Sequence, residues 1–370
     1  MFVTGKPVSG KSFIDRKKHI PLFRTYLEQN QSFMIKAPRR FGKTSLVKHL
    51  LEGKKEFIYI DVKRVSSLQS LANKIIDSAY KLSAIDNFLY KAQNSLFDLF
   101  KSIQQLQIDD IAEVTIKLLE KKENDAMEFF LHSLDVVEQI AQKQNLQVKF
   151  VFDEFQDILT ITSYDILDKT RSVMQHHNQI TYIFLGSIES IMTKIFEHKS
   201  SAFFHFATIV ELPPLDVEEL YHYSVDVFKQ KNIEVEGLKE VLEFFKGHPD
   251  YSLQFLQKLY FTALAEEKKR FHTLELLELL QEVFFANKAY IEELISKAKQ
   301  KKHSLDVLYG IANNTKVKLD SKTLYNVHKS LEDMGLIKRV KTGHYVINDL
   351  FLELYLQQNG DGIEFKQLVF

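Results

Sequence analysis

Two stretches of the chain carry residue types spaced to hold a phosphate chain. Gly5-Lys6-Pro7-Val8-Ser9-Gly10-Lys11-Ser12 matches GxxxxGK[ST] in full. Ala37-Pro38-Arg39-Arg40-Phe41-Gly42-Lys43-Thr44 matches it except that alanine replaces the first glycine. In such a loop backbone amides face the phosphates, the lysine reaches the β/γ oxygens and the hydroxyl ligates Mg2+. The loop needs a strand before it to fix its position. It also needs a helix after it, whose N-terminal amides and dipole face the anion. The second stretch has both, an apolar run at 32–36 and a helical pattern at 44–52. The first has only four residues ahead of it and a proline inside it, so it reads as a basic lead-in. The second is therefore the expected phosphate loop, with contacts from Ala37 through Thr44 and on to Ser45. The amides of Arg40 to Thr44 form the cradle, Lys43 reaches the β/γ oxygens, and Thr44 ligates Mg2+. Ala37 demands a negative φ at that position. Arg39 and Arg40 are either added charge beside a triphosphate or ordinary basic surface.

Phosphoryl transfer also needs a carboxylate at the end of a neighbouring strand, to hold Mg2+ and its waters. Val148-Lys149-Phe150-Val151-Phe152-Asp153-Glu154 supplies one, an apolar run ending in two acids. Asp153 is the candidate Mg2+ holder, and Glu154 the candidate base that orients the attacking water. The next apolar run, Thr181 to Gly186, ends at Ser187. That hydroxyl either meets the γ-phosphate or attacking water, or caps the following helix. Asp157 reads as a helix cap or a supporting group.

Composition bounds the rest. The chain has 370 residues, 45% of them hydrophobic and 26% charged, which fits a globular protein of two or three domains. Lys+Arg and Asp+Glu both total 49, so any nucleic-acid or membrane argument must be local. There are no cysteines, which excludes disulfide scaffolds, thiolate zinc sites and cysteine nucleophiles. The thirteen histidines show no metal-ligand spacing. No apolar run approaches the roughly 20 residues that span a bilayer, and the first residues lack the apolar core of a signal peptide. A cytoplasmic protein without membrane contact is the expectation.

Strand patterns at 32–36, 56–62, 147–153, 181–186 and 208–212 alternate with helical stretches, which implies a parallel α/β sheet. Residues 66–145 read as a run of helices. After Leu215 the strand signals stop, and 216–300 read as all-helical, interrupted once at Gly247-His248-Pro249. Residues 303–347 read as helix, short helix, helix and hairpin. That is a winged helix, with a recognition helix from Ser321 to Asp333 whose apolar side is Tyr325, Val327, Leu331 and Met334. The expected division is a lead-in at 1–28, an α/β core at 29–215, a helical lid at 216–300, a winged helix at 301–350 and a tail at 351–370.

APRRFGKTSL, FVFDEFQD, FLGS and ELPPL, in that order and spacing, resemble the archaeal-type ATPase family, a STAND branch of the AAA+-like P-loop NTPases. The resemblance covers nearly the whole chain. It implies an α/β P-loop NTPase core, with a parallel sheet flanked by helices, then an all-α lid and a winged helix. It implies ATP as ligand, Mg2+ as cofactor and assembly of copies on activation. It places the lead-in near the nucleotide base, with Arg16 in the position of that family's usual arginine. It assigns Gly247-His248-Pro249 to a lid motif that touches nucleotide, and so adds His248 and Pro249 to the expected contacts. Phe203-Phe204-His205-Phe206 stands where the family commonly has an arginine ahead of the fifth strand. That departure puts fast unassisted hydrolysis in question, with Arg171 as a substitute or a surface residue.

Residues 301–348 hold nine Lys/Arg against four acids, an excess of five on a neutral chain. Such a patch attracts duplex DNA through phosphate neutralisation. Lys322, Lys329, Lys338, Arg339 and Lys341 are the candidate contacts, and a protein partner is the alternative. Two functions follow. One is a slow ATPase that acts as a nucleotide-driven switch moving the winged helix. The other is a non-hydrolysing DNA- or protein-binding module with structural nucleotide. A small-molecule kinase is weaker, because nothing marks an acceptor pocket.

Overall fold

The computed structural model describes residues 2–10, 13–14, 16–82 and 126–358. Lys11, Ser12, most of the expected helical run at 83–125 and the end of the tail at 359–370 lie outside the described residues.

The first part of the chain runs α1 (Ile20–Glu28), β1 (Phe33–Lys36), α2 (Lys43–Leu50), β2 (Phe57–Asp61), α3 (Leu68–Leu82), α4 (Ala126–Lys143), β3 (Val148–Asp153), α5 (Ile158–Ile161), α6 (Asp165–Met174), β4 (Ile180–Gly186), α7 (Glu189–Phe196) and β5 (Thr208–Glu211). The five strands form one parallel sheet in the order β2-β3-β4-β1-β5. β3 and β4 are buried along their whole length, as strands covered by helices on both faces must be. Their side chains alternate between two cores. Phe150, Phe152, Tyr182 and Phe184 join the cluster that holds α3, α4 and α7, while Val151, Ile183 and Leu185 join the one that holds α1 and α2. β4 lies between β1 and β3, so the acidic strand is one strand removed from the phosphate-loop strand rather than beside it.

The chain continues through α8 (Val217–Lys229), β6 (Glu234–Val235), α9 (Leu238–Phe244), α10 (Pro249–Ala265), β7 (Arg270–Phe271), α11 (Thr273–Ala286) and α12 (Lys288–Lys299). The all-helical expectation for 216–300 needs one correction. β6 and β7 pair as a two-residue parallel ladder, too short to leave any periodicity in the sequence. Phe2 is fully buried in this layer against Tyr223, Phe228 and Tyr260. The lead-in is thus pinned into the lid.

The last part holds α13 (Ser304–Ala312), α14 (Ser321–Asp333), the hairpin β8 (Ile337–Lys341) and β9 (His344–Ile347), and α15 (Leu350–Gln357). The expected short middle helix is absent. Residues 313–320 carry no regular element, and the side chain of Val317 lies so close to Gly310 on α13 that a Cβ there would meet it at 2.5 Å. Tyr325 is a second correction: it is 62% exposed, and α14 packs through Val327 and Leu331. α15 buries Phe351, Leu352, Leu354 and Leu356, so residues 350–357 are part of the packed body. One apolar cluster runs continuously through the lid, α13 to α15 and the hairpin. Among the described residues, no helix is long and apolar enough to cross a membrane.

Candidate functional site

The loop between β1 and α2 turns at Arg40, with φ 66, and at Gly42, with φ 84. Ala37 keeps an ordinary negative φ, which is why alanine is accepted there. Ala37 and Phe41 are buried and anchor the loop from beneath. Lys43 is 6% exposed, and its Nζ donates to the carbonyls of Ala37 and Pro38, each at 2.8 Å. Burial lowers its pKa to about 8, against the opposing pull of the Glu154 and Asp153 carboxylates.

Thr44 Oγ1 donates to Asp153 Oδ2 at 2.8 Å. Tyr59, on β2, donates its hydroxyl to the same oxygen. Burial, with Asp153 beside it, holds the Tyr59 phenol well above its ordinary pKa, so it remains a donor. Burial raises the Asp153 carboxyl, opposed by the hydrogen bonds from Tyr59 and Thr44. Sequence reasoning missed Tyr59. No local motif marks it, although the alternation of β2 sets it on the same face as Asp61.

Glu154 sits in the left-handed region, φ 53, at the start of a 3₁₀ turn over Phe155–Asp157. The sharp turn swings its carboxylate sideways across the sheet. Oε2 accepts from Ser187 Oγ at 2.6 Å, Ser187 N at 3.1 Å and Gln156 Nε2 at 2.7 Å. Burial raises its pKa, but these hydrogen bonds and Lys43 prevail, and the carboxyl ends below its ordinary value. Glu154 is therefore ionised near neutral pH. Ser187 does not cap α7; it holds Glu154. Gln156 was also missed, because its role depends on a turn that the sequence does not announce.

The expected nucleotide contacts from elsewhere divide. Pro249 opens α10 and lines a cleft of about 790 Å³ with Gly42, Lys43, Thr44, Ser45, Glu154 and the lead-in residues Gly5 to Val8. The lead-in is tied to α2 by Val8 N donating to Ser45 Oγ at 3.2 Å. Arg16 is not directed at the cleft. It is 3% exposed, and its guanidinium donates to the carbonyls of Phe41, Pro213 and Pro214. It acts as a clamp between the loop and the linker after β5. Arg40 bridges from the loop to the lid, pairing with Asp250 at 3.2 Å and stacking on Tyr290. Arg171 lies over Phe206 and donates to Gln175, which commits it elsewhere.

His248 caps α10, with Nδ1 accepting from Tyr251 N at 3.4 Å. Its ring packs between Phe41 and Tyr251. Burial, assisted by the Arg40 charge, pushes its pKa down to about 4 from an ordinary 6.5. A histidine held neutral contributes stability in full above pH 6.5. That contribution is lost as pH falls towards 4, because only the unfolded chain takes up the proton. The loss amounts to about 2–3 kcal/mol. His248→Asn keeps a capping side chain and should flatten this part of the pH–stability curve, as read by denaturant midpoints between pH 7 and 4.

The C-terminal region rests on α7, the helix that follows β4. On α7, Glu189 pairs with Lys338 at 2.8 Å and Ser190 Oγ donates to Glu332 O at 2.9 Å. Lys194 pairs with Asp333. Lys338 thus pairs with the α/β core, unlike the other candidate DNA contacts. Lys322 and Lys329 are exposed on one face of α14 with Tyr325 between them, and Arg339 and Lys341 are exposed on the hairpin. Tyr251 links lid and C-terminal region, donating to Asp349 Oδ2 at 2.7 Å and stacking on Phe351.

The donor set fits Mg2+. Thr44 and Asp153 offer hard oxygens side by side. Among the described residues there is no cluster of three or more His, Cys, Asp or Glu that would form an all-protein cage. Mg2+ is commonly held by one or two side chains together with substrate phosphates. The cleft and the buried Lys43 fit a triphosphate in the same way.

Solved structures share this fold. A Walker-type ATPase of Pyrococcus abyssi superposes with a TM-score of 0.70 over 96% of this chain and 100% of its own, at 16% identity. The ORC2 protein of Aeropyrum pernix, in its ADPNP–ADP complexes, gives 0.58 over 97% and 96%, at 13% identity. The ADP form of that protein gives 0.52 over 94% and 95%, at 14% identity. No family model and no curated protein matches the chain. The α/β part has the P-loop ATPase fold.

Proposed function

We propose that this chain is a Mg2+-dependent ATPase that works as a nucleotide-driven switch. ATP lies between the loop at 37–45 and the lid, with its phosphates on the amides of Arg40 to Thr44 and on Lys43. Thr44 and Asp153 would hold Mg2+, which would supply positive charge against the β/γ oxygens. Glu154 orients the attacking water and takes its proton at a carboxylate oxygen. Two nucleotide-bound structures of one fold neighbour, with ADPNP–ADP and with ADP, support nucleotide as the ligand class.

One observation carries the switch. Ser187 holds Glu154, and two residues later begins α7, the helix on which the C-terminal region rests through Glu189, Ser190 and Lys194. The group that meets the γ-phosphate and the surface that holds the winged helix thus share one short rigid segment. Nucleotide state can bias the position of the winged helix through contacts that differ between the two states. Titration of Mg-ATP, with phosphate release followed in parallel, tests the reading. Binding with measurable turnover supports it. Binding without turnover moves the chain to a module with structural nucleotide, and no binding removes the phosphate-loop assignment.

The exposed cations Lys322 and Lys329 on either side of Tyr325 on α14, with exposed Arg339 and Lys341 on the hairpin, favour duplex DNA as the partner of the winged helix. Cations flank an aromatic there, with no acid on the same face of α14 between residues 322 and 329. Each of Lys322→Ala, Lys329→Ala and Lys341→Ala should lower the slope of log affinity against log salt by about 0.9, measured by fluorescence anisotropy. Lys338→Ala should leave the slope unchanged. A wild-type protein without salt-dependent DNA affinity moves this face to a protein partner.

A further inference from the structure

We infer that Arg39 is the cation that meets the γ-phosphate as its bond breaks, supplied by the same chain as the rest of the site. The inference rests on the ATPase reading above. As the attacking water adds and the bond to the β-bridging oxygen breaks, the electron pair passes to ADP. The water proton passes to Glu154, and negative charge spreads over the leaving phosphoryl oxygens. A guanidinium fork beside those oxygens stabilises that charge.

The chain has eight arginines, and seven are committed or distant. Arg16 is buried on three backbone carbonyls. Arg40 is paired with Asp250 and Tyr290. Arg64 pairs with Asp61, and Arg270 with Glu234. Arg171 lies over Phe206. Arg24 is exposed on α1, and Arg339 on the hairpin. Among the described residues Arg39, like Arg24 and Arg339, makes no side-chain hydrogen bond, ion pair or ring contact, and of these three it lines a cavity of about 270 Å³ together with Glu154 and Ser187.

The surroundings of that cavity explain why Arg39 stays unpartnered. Lys63 and Lys297 line it too, so Arg39 shares the carboxylates Glu154, Asp157 and Asp349 with two other cations. Burial lowers the Lys297 pKa, and the charges of Arg39 and Lys63 add to that. Asp157 and Asp349 line it as well as Glu154; burial raises the pKa of both aspartates, and for Asp157 the Glu154 charge adds to that. Three cations thus gather beside the proposed base, where phosphoryl oxygens would meet them. The walls are this chain's own: Tyr290, Leu294 and Lys297 from α12, and Met334 to Leu336 with Asn348 and Asp349 from the C-terminal region. That closure leaves the γ-phosphate side to a residue in cis. It also answers the sequence at 203–206, where no arginine precedes β5.

The test uses full-length protein and two readouts. Arg39→Ala should bind Mg-ADP and a non-hydrolysable ATP analogue within about threefold of wild type, and lose about 10²-fold or more in phosphate release. It should also fail to trap Mg-ADP with aluminium fluoride, which wild type traps. Arg39→Lys keeps the charge without the fork and should fall between them. Turnover per protomer should be independent of protein concentration. Equal trapping by wild type and Arg39→Ala overturns the inference, as does trapping that wild type shows only at concentrations where it self-associates. Wild type that binds no nucleotide overturns instead the ATPase reading beneath it.

Discussion

Glu154→Gln will bind Mg-ATP as the wild type does and release phosphate about 10³-fold more slowly. The substitution keeps the shape of the side chain and removes its charge. Ser187 and Gln156 donate to a carboxylate oxygen, and an amide oxygen accepts the same bonds in the same place. The positive-φ turn that aims the side chain also remains, since it belongs to the backbone. What disappears is the ability to accept a proton from water. Ser187→Ala provides the graded comparison. It keeps the carboxylate and the Ser187 backbone donor, so its loss should be nearer tenfold. The ordering of the two variants in a phosphate-release assay separates a base from a residue that orients it. Equal turnover in wild type and Glu154→Gln removes Glu154 from that role. Because the Glu154 carboxyl lies below its ordinary pKa, wild-type turnover should show no acidic limb from this residue near neutral pH.

The parts of this site that could be read in the sequence are those fixed by neighbours along the chain. The loop at 37–44 was separable from the fuller match at 5–12 because a strand precedes it and a helix follows it. In the structure α2 starts at Lys43, directly after the second stretch, while Lys11 and Ser12 of the first lie outside the described residues. Asp153 and Glu154 were legible because a run apolar except for Lys149 ends there. The parts that could not be read depend on contacts across the fold. Tyr59 reaches Asp153 only because β2 and β3 are paired in register, with Asp61 opposite Asp153. Lys338 looks like four other basic residues in the sequence, and only the docking of the hairpin on α7 gives it Glu189. Arg16 sits beside a basic lead-in, yet its guanidinium turns inward to carbonyls from two distant segments. Tyr325 fits a helical apolar stripe and still faces solvent, because the helix needs only Val327 and Leu331 to pack.

Gly247→Ala should destabilise the protein by about 2–5 kcal/mol and weaken Mg-ATP binding, although Gly247 is not itself part of the phosphate loop. Gly247 has φ +70, and a Cβ there would lie 2.1 Å from the carbonyl oxygen of Leu215. The obstructing atom is backbone, so no side chain can rotate away. The left-handed conformation costs an alanine about 1–2 kcal/mol, and overpacking against a fixed neighbour adds about 1–3 kcal/mol. Gly53 provides the control, with φ +77 and nothing within 4 Å of a Cβ. Gly53→Ala therefore carries the dihedral cost alone, and the difference between the two denaturant midpoints isolates the clash. The effect on binding follows from a chain of contacts. Gly247 O accepts from Leu215 N at 2.8 Å, which fixes the linker after β5. Pro213 and Pro214 of that linker accept from Arg16, and Arg16 also donates to Phe41 O in the phosphate loop. Pushing Leu215 away from Gly247 loosens the linker, then the arginine, then the loop. If Gly247→Ala lowers stability while ATP affinity stays at the wild-type value, the lid and the loop are held independently, and Arg16 does not couple them.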